Sequence, residues 1–207
     1  MDETIQDKPR RMRGDDRRAY ILTQTKKVFA RRGYLEASTA ELAEASGVTE
    51  PMLYRHFASK KALFLTIIGE VGEQFNRRFF GVVEERARRD PLEALGSILS
   101  DYRAAAMADW DDLSILAQIT PESADAEIVE VAQQHSREMY AFALRLLDMT
   151  QSQGLLPARL DLTAAAWGTL SLIYAVQFRR KLGIVDQFDG PAIQEINRLW
   201  LQSLKMG

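Results

Sequence analysis

The sequence predicts an all-α protein, and three observations carry that expectation. Apolar residues recur at three- and four-residue spacing along nearly the whole 207-residue chain, and no segment shows the alternation of a half-buried strand. Ser, Thr, Asp, Gly and Pro stand between the periodic segments, where helix caps and breakers belong. With 46% hydrophobic and 27% charged residues, the composition is that of an ordinary globular chain long enough for one large or two small domains.

The elements follow in order. Residues 1–14 form a polar, basic arm expected to be disordered. A first helix from Asp16 to Arg32 places Ile21, Thr25, Val28 and Phe29 on one face, with Gly33 as a left-handed C-cap. Ser38 or Thr39 caps a short second helix carrying Leu42 and Ala43, which stops at Gly47. Thr49 caps a third, with Pro51 in the first turn, where its missing N–H costs nothing. Three short helices, the last two joined by a Gly-containing turn, describe a helix-turn-helix domain over residues 15–60. A larger helical domain, 61–207, would follow, for about nine helices in all.

Ser59 caps the long fourth helix and Pro91 opens a fifth. Asp111 or Asp112 starts a sixth through Ile119, which Pro121 breaks. An amphipathic seventh spans about Ala124 to Gln153 and ends at Gly154. Asp161 caps the eighth, and Pro191 opens a ninth that ends near Lys205.

Composition removes several classes of function. Cysteine is absent, so there is no disulfide, thiolate nucleophile or Cys-ligated metal, and only His56 and His135 could offer imidazole. No Gly-rich phosphate loop or paired-carboxylate motif is present, so no enzyme, catalytic residue, metal or cofactor is expected. No apolar run reaches the roughly 18 residues that span a bilayer, and the first residues lack an apolar signal core, so a cytoplasmic protein is expected, with no membrane partner. The net charge of −2 conceals a split. Lys8 to Lys61 holds 13 Lys/Arg against 6 Asp/Glu, whereas Ala62 to Gly207 holds 14 against 20. A basic quarter on an acidic body is what phosphate binding by one small domain predicts; chance clustering of surface charge is the alternative.

In a helix-turn-helix the second helix lies in the major groove. Val48, Leu53 and Phe57 point into a small core, which leaves Thr49, Glu50, Pro51, Met52, Tyr54, Arg55 and His56 on the outside. The stretch STAELAEASGVTEPMLYRHFASKKALF resembles the DNA-binding segment of the TetR family of bacterial transcriptional regulators, with about a dozen motif positions in register and no gap. The match covers residues 15 to 68; beyond it only length and helical layout are similar. Ser46 stands where Ala is usual, and Ala40 stands where some members carry a base-reading arginine.

The resemblance implies that Thr39, Tyr54, His56 and Lys60 bind phosphates, that Thr49 caps the recognition helix, and that Glu50, Pro51, Met52 and Arg55 face base edges. Arg55 suits guanine O6/N7 and Glu50 suits cytosine N4, while Pro51 or Met52 suits a thymine methyl. The alternatives are that Tyr54 covers the core and that Arg55 pairs with Glu50. The basic arm is either a minor-groove contact or, preferably, a solvated tail adding non-specific affinity.

A lone three-helix unit buries little surface, so a homodimer on a palindromic double-stranded operator is expected. The resemblance places the interface on the last two helices, through Trp167, Leu170, Ile193, Ile196, Leu199, Trp200 and Leu204; completion of a monomer core is the alternative. An effector pocket is expected among Tyr102, Met107, Trp110, Leu116, Gln118, Ile119, Met139, Phe142, Tyr174 and Phe178, whose apolar walls and few polar tips suit a hydrophobic or aromatic small molecule. His135 is expected on a polar helix face. The function expected is an effector-responsive repressor, the alternative an effector-independent architectural DNA-binding protein.

Overall fold

The computed structural model describes residues 14–108, 110–116, 125–181 and 190–206. Among them every regular element is helical: α1 (Gly14–Glu36), α2 (Thr39–Ala45), α3 (Glu50–His56), α4 (Lys60–Ala87), α5 (Pro91–Ala108), α6 (Trp110–Leu116), α7 (Ala126–Ser152), α8 (Leu162–Lys181) and α9 (Gly190–Met206). The protein is all-α. Residues 1–13 of the expected arm, and Gln118, Ile119 and Pro121, lie outside the described residues. Two compact units divide the chain, one ending at Ile67 and the other beginning at Ile68. The division falls inside α4, whose first residues belong to the N-terminal unit.

In the N-terminal unit, the regular run of α1 breaks at Gly33 as expected, but as a bend rather than a left-handed cap. The chain bends there, at φ 80° and ψ 166°, and helical hydrogen bonding resumes, with the Ala37 amide donating to the Gly33 carbonyl at 3.2 Å. Glycine tolerates that positive φ, which a Cβ would strain. Ile21, Phe29, Leu42, Leu53, Leu63 and Phe64 form the buried core, each contributing about 1.5–3 kcal/mol by burial. Phe64 packs edge-on against Phe29 at 4.9 Å and beside Tyr34 at 4.7 Å. The turn between α2 and α3 is closed by Gly47 at φ 60° and by the Val48 amide donating to the Ala43 carbonyl. Ser46, buried in that turn, donates its hydroxyl to the Leu42 carbonyl at 2.7 Å, so the polar group there is satisfied.

In the C-terminal unit, α5 packs against α9, α8, α7 and α6, and α7 also packs against α8. Asp90, Asp125 and Asp161 cap α5, α7 and α8, accepting from the amides of Glu93, Glu127 and Ala164. The α5–α9 contact is pinned by buried Asn197, which accepts from the Leu99 amide at 3.2 Å and donates to Ser100 Oγ at 2.9 Å. Trp200 lies across Gly168, where a Cβ would come 2.4 Å from its ring, and donates to Thr169 Oγ1 at 3.2 Å. Phe75, Phe79, Tyr102 and Phe142 make an aromatic centre.

Candidate functional site

The N-terminal unit builds its outer surface from caps. Ser38, not Thr39, caps α2: its hydroxyl accepts from the Glu41 amide at 3.1 Å while Glu41 accepts from the Ser38 amide at 3.1 Å. That backbone N–H, with help from Arg32, holds the Glu41 carboxyl below the usual carboxylate range. Thr39 is thereby left in the first turn, where its hydroxyl donates to Glu50 Oε2 at 2.8 Å and ties α2 to α3. Thr49 caps α3, accepting from the Met52 amide at 3.4 Å, so its O–H proton remains available to an anion.

Leu53 and Phe57 anchor α3 in the core. Glu50, Pro51, Met52, Tyr54 and Arg55 are exposed as a set, Tyr54 at 44%, and His56 is half-buried at the helix end. Glu50 is bonded to Thr39 rather than paired with Arg55. Lys60 is placed differently from the other phosphate candidates. Its ammonium donates to the Leu35 carbonyl at 3.3 Å and lies 4.8 Å from the centre of the Tyr34 ring. Burial pulls its pKa down.

Of the expected pocket residues of the C-terminal unit, Phe142 lines a described cavity. Tyr102, Leu116, Met139 and Phe142 are buried, Tyr102 edge-on to Phe75 and Phe79 at 5.3 and 5.5 Å and Phe142 stacked on Phe80 at 4.1 Å. Burial pushes the Tyr102 phenol above its ordinary pKa. Met107, Tyr174 and Phe178 are exposed. The Trp110 side chain, Gln118 and Ile119 lie outside the described residues.

Two described cavities lie along the seam between α4 and α7. One cavity of about 280 Å³ is lined by Ala87, Phe142, Leu146 and Met149, with Glu84, Arg88 and Arg145 at its edge. A second, of about 310 Å³, is lined by Gly69, Gly72, Glu73, Glu130, Gln134, His135 and Glu138, with Ile68 and Val131. His135 therefore does not sit on a free polar face. Its Nδ1 lies 3.3 Å from where a Cβ of Gly72 would be, and burial lowers its pKa while Glu138 opposes the shift. Gly72, within the IIGEVG stretch, was the sequence signal for that close approach.

Of the residues expected at a subunit interface, Trp167 and Leu199 are 55% and 51% exposed, and Ile196 and Trp200 are half-buried. Leu170, Ile193 and Leu204 are corrected to core: they are buried within the chain's own unit and present no surface to a partner. Ile193 and Leu204 lie on α9, which packs against α5, and Leu170 lies on α8, which packs against α5 and α7. Among the described residues no helix is long and apolar enough to cross a membrane, and no cluster of three His, Asp or Glu could hold a metal.

A family model described as bacterial regulatory proteins, tetR family, matches residues 21–67, which contain α2, α3 and the turn between them. The HTH-type transcriptional activator FasR of Mycolicibacterium smegmatis is 41% identical over 58 residues, covering 28% of this chain and 26% of that protein. The HTH-type transcriptional regulator EthR of the same species is 29% identical over 106 residues, covering 48% and 49%. The chain thus spans about a quarter to a half of the length of these curated relatives. The crystal structure of AibR in complex with isovaleryl coenzyme A and operator DNA superposes with a TM-score of 0.67 at 20% identity, covering 91% of this chain and 98% of that one. At that identity the likeness is one of fold.

Proposed function

Since the chain belongs to the TetR family of bacterial regulatory proteins, we propose that it is a DNA-binding transcriptional repressor that grips a palindromic operator as a homodimer and is released by a small hydrophobic effector. The observation that carries this reading is the α3 surface. Glu50, Pro51, Met52, Tyr54 and Arg55 face outward together from a helix whose N-terminus is capped by Thr49 and whose back is locked into the core. Amide groups and hydroxyls at such an end suit phosphate, and the outward side chains suit base edges.

The exposed Trp167 and Leu199 supply apolar surface for a second copy. Half-sites lie about 34–36 Å apart on B-DNA, so a change of a few ångströms in the separation of two recognition helices breaks simultaneous engagement. Both units share α4 in sequence, which makes it the element that an effector would bias. A coupling of about 1–3 kcal/mol is typical of such linkage.

For the effector, the support is the cavity walled by Phe142, Leu146 and Met149, with Arg88 and Arg145 at its edge. Those walls suit an apolar chain and that edge suits an anionic head. The AibR ligand, isovaleryl coenzyme A, is therefore a first probe.

The test is fluorescence-anisotropy binding to DNA upstream of the protein's own gene, against a scrambled duplex and the Tyr54→Ala variant. Tight, salt-dependent binding to the native duplex alone, lost in the variant, supports the reading. Equal binding to both duplexes, with no preference after in vitro selection, replaces it with an effector-independent architectural role. Failure to bind any DNA overturns both.

A further inference from the structure

On the outer face of the N-terminal unit, the contact between Thr39 and Glu50 is unusual chemistry for a surface that meets an anion. Thr39 Oγ1 donates to Glu50 Oε2 at 2.8 Å. A carboxylate only accepts, and so do phosphate oxygens. The hydroxyl proton of Thr39 therefore goes to Glu50 and is withheld from a phosphate while the bond stands. Thr49 is the contrast, because its oxygen accepts from the Met52 amide and its proton stays free. Arg32 pairs with Glu41 at 3.2 Å and not with Glu50. The next residue on α2 after Thr39 is Ala40, exposed and without a polar side-chain group. Thr39 is thus the side-chain partner that the described residues give this carboxylate.

Both ends of the contact rest on fixed backbone. Thr39 opens α2 immediately after Ser38, whose hydroxyl and the Glu41 carboxylate close a reciprocal cap. Glu50 opens α3 immediately after the Thr49 cap, and Leu53 and Phe57 are buried behind it. The turn joining the two helices is held by Gly47 at φ 60° and by the Val48 amide on the Ala43 carbonyl at 3.0 Å. Thr39 is half-buried and branched at Cβ, so its own rotamers are few. Glu50 is exposed and long, and loses much rotamer freedom when ordered. The stiff residue holds the flexible one.

Given the DNA-binding reading of the α3 surface, on which this inference rests, we propose that Thr39 is a positioning residue for base recognition. Its hydroxyl holds Glu50 by one oxygen and leaves Oε1 to accept from the N4 amino group of a cytosine. A carboxylate among phosphates is repelled unless it finds a donor. In the major groove guanine and thymine offer it acceptors, adenine sets an acceptor beside its amino group, and cytosine offers a donor alone. One free oxygen matches that single donor. Because Glu50 is ordered in the free protein, the contact loses little further freedom on forming, and the gain falls on the matching base rather than on DNA in general.

The test uses the full chain and the duplex that in vitro selection returns, with each base pair substituted in turn and binding read by anisotropy. Thermal melting without DNA checks the fold of each variant. Glu50→Ala is expected to reduce the preference for cytosine at one base pair by about tenfold. Thr39→Val, isosteric but without a donor, is expected to reduce it at that same pair by about three- to tenfold and to leave other positions as they are. Thr39→Ser keeps the donor and is expected to retain the preference. In the Glu50→Ala background, Thr39→Val is expected to change nothing further. Thr39→Ala repeats the loss should Thr39→Val lower the melting temperature. A uniform loss on every duplex, with base preference intact, would make Thr39 a phosphate ligand or a strut between α2 and α3 and overturn the proposal. So would an effect of Thr39→Val that persists without Glu50, or a base other than cytosine at the pair that Glu50→Ala relaxes. Those results leave the DNA-binding reading standing, whereas failure of selection to return any preferred duplex overturns the repressor reading and the role of Thr39 together.

Discussion

Thr39 and Glu50, eleven positions apart, meet on the surface of the N-terminal unit, whereas Asn76 and Glu138, 62 positions apart, meet inside the C-terminal one. That contrast separates two ways of making a site. Around α3 the outward surface is a product of local rules: a cap at Thr49, a proline in the first turn, a glycine at positive φ before it, and two apolar anchors four residues apart. Around α4 and α7 nothing local decides what faces the seam. Packing of α4 on α5, and of α7 on α5 and α8, sets which side of each helix is left over, and the residues on that side become the lining.

The contrast is most severely tested by asking whether the two units unfold apart. Phe29 is fully buried in the N-terminal core, beside Phe64. Its replacement by alanine is expected to cost about 3–5 kcal/mol. All three tryptophans, Trp110, Trp167 and Trp200, belong to the C-terminal unit. In urea, Phe29→Ala is therefore expected to bring forward part of the circular-dichroism transition and leave the tryptophan-fluorescence midpoint in place. A common shift of both signals would show that α4 welds the units into one cooperative whole, and the comparison would then hold for construction but not for stability.

Legibility in the sequence follows the same division. Caps at Thr49, Asp161 and Ser59, the turn at Gly47 and the buried face of α1 were readable because each depends on residues within one or two turns. The break at Gly33 was readable as well, but not its form, because a positive φ is compatible with both a C-cap and a bend, and only the return of hydrogen bonding at Ala37 decides. Tyr102 and Phe142 were both chosen as pocket walls on residue type, yet Phe142 lines a cavity while Tyr102 is packed edge-on between Phe75 and Phe79. His135 was assigned to a polar face because its neighbours Gln134 and Ser136 are polar. Gly72 of α4 was what made room for it. Leu170, Ile193 and Leu204 show the same limit: a stripe announces burial but not whether the covering surface is the same chain or another.

A sharper measure of packing-made structure is Gly168, where an added methyl would lie 2.4 Å from the Trp200 ring. Gly168→Ala gains in helix propensity but must displace a large, hydrogen-bonded side chain, and overpacking of that kind costs about 1–3 kcal/mol. A lowered melting temperature with a red-shifted tryptophan spectrum is the expected result. An unchanged melt would mean that α8 and α9 slide freely past one another, against the close approach described.

On the other side of the comparison, Arg55 is a surface group whose loss should leave the fold intact. If it reads guanine, Arg55→Ala is expected to cost about 1–3 kcal/mol of operator affinity and to relax preference at one base pair in each half-site. Lys60→Ala, by contrast, breaks the tether to the Leu35 carbonyl and Tyr34. It is expected to loosen the bend in α1 and weaken binding without altering base preference. Anisotropy against a set of single-substituted duplexes distinguishes the two. A uniform loss for Arg55→Ala would reassign it from base reading to backbone contact.

The smallest expected effect probes the local rule most directly. Glu41 is partly exposed, and its carboxyl is held below the ordinary range, chiefly by the Ser38 amide and further by Arg32. The folded chain thus keeps this group ionised to lower pH than the unfolded chain does. Its contribution is complete above the unfolded value and is lost as the pH falls through the depressed folded one. Stability of the wild type should therefore decline through the carboxylate range more steeply than that of Glu41→Gln, which keeps an acceptor for the Ser38 amide but no charge. Urea titrations at about pH 6 and about pH 3.5 measure that difference. Because Arg32 and Glu41 are both solvent-exposed, salt should shrink the Arg32 share and leave the backbone share. A wild-type profile parallel to that of Glu41→Gln would mean that the cap works through its hydroxyl alone, and that the start of α2 owes nothing to charge.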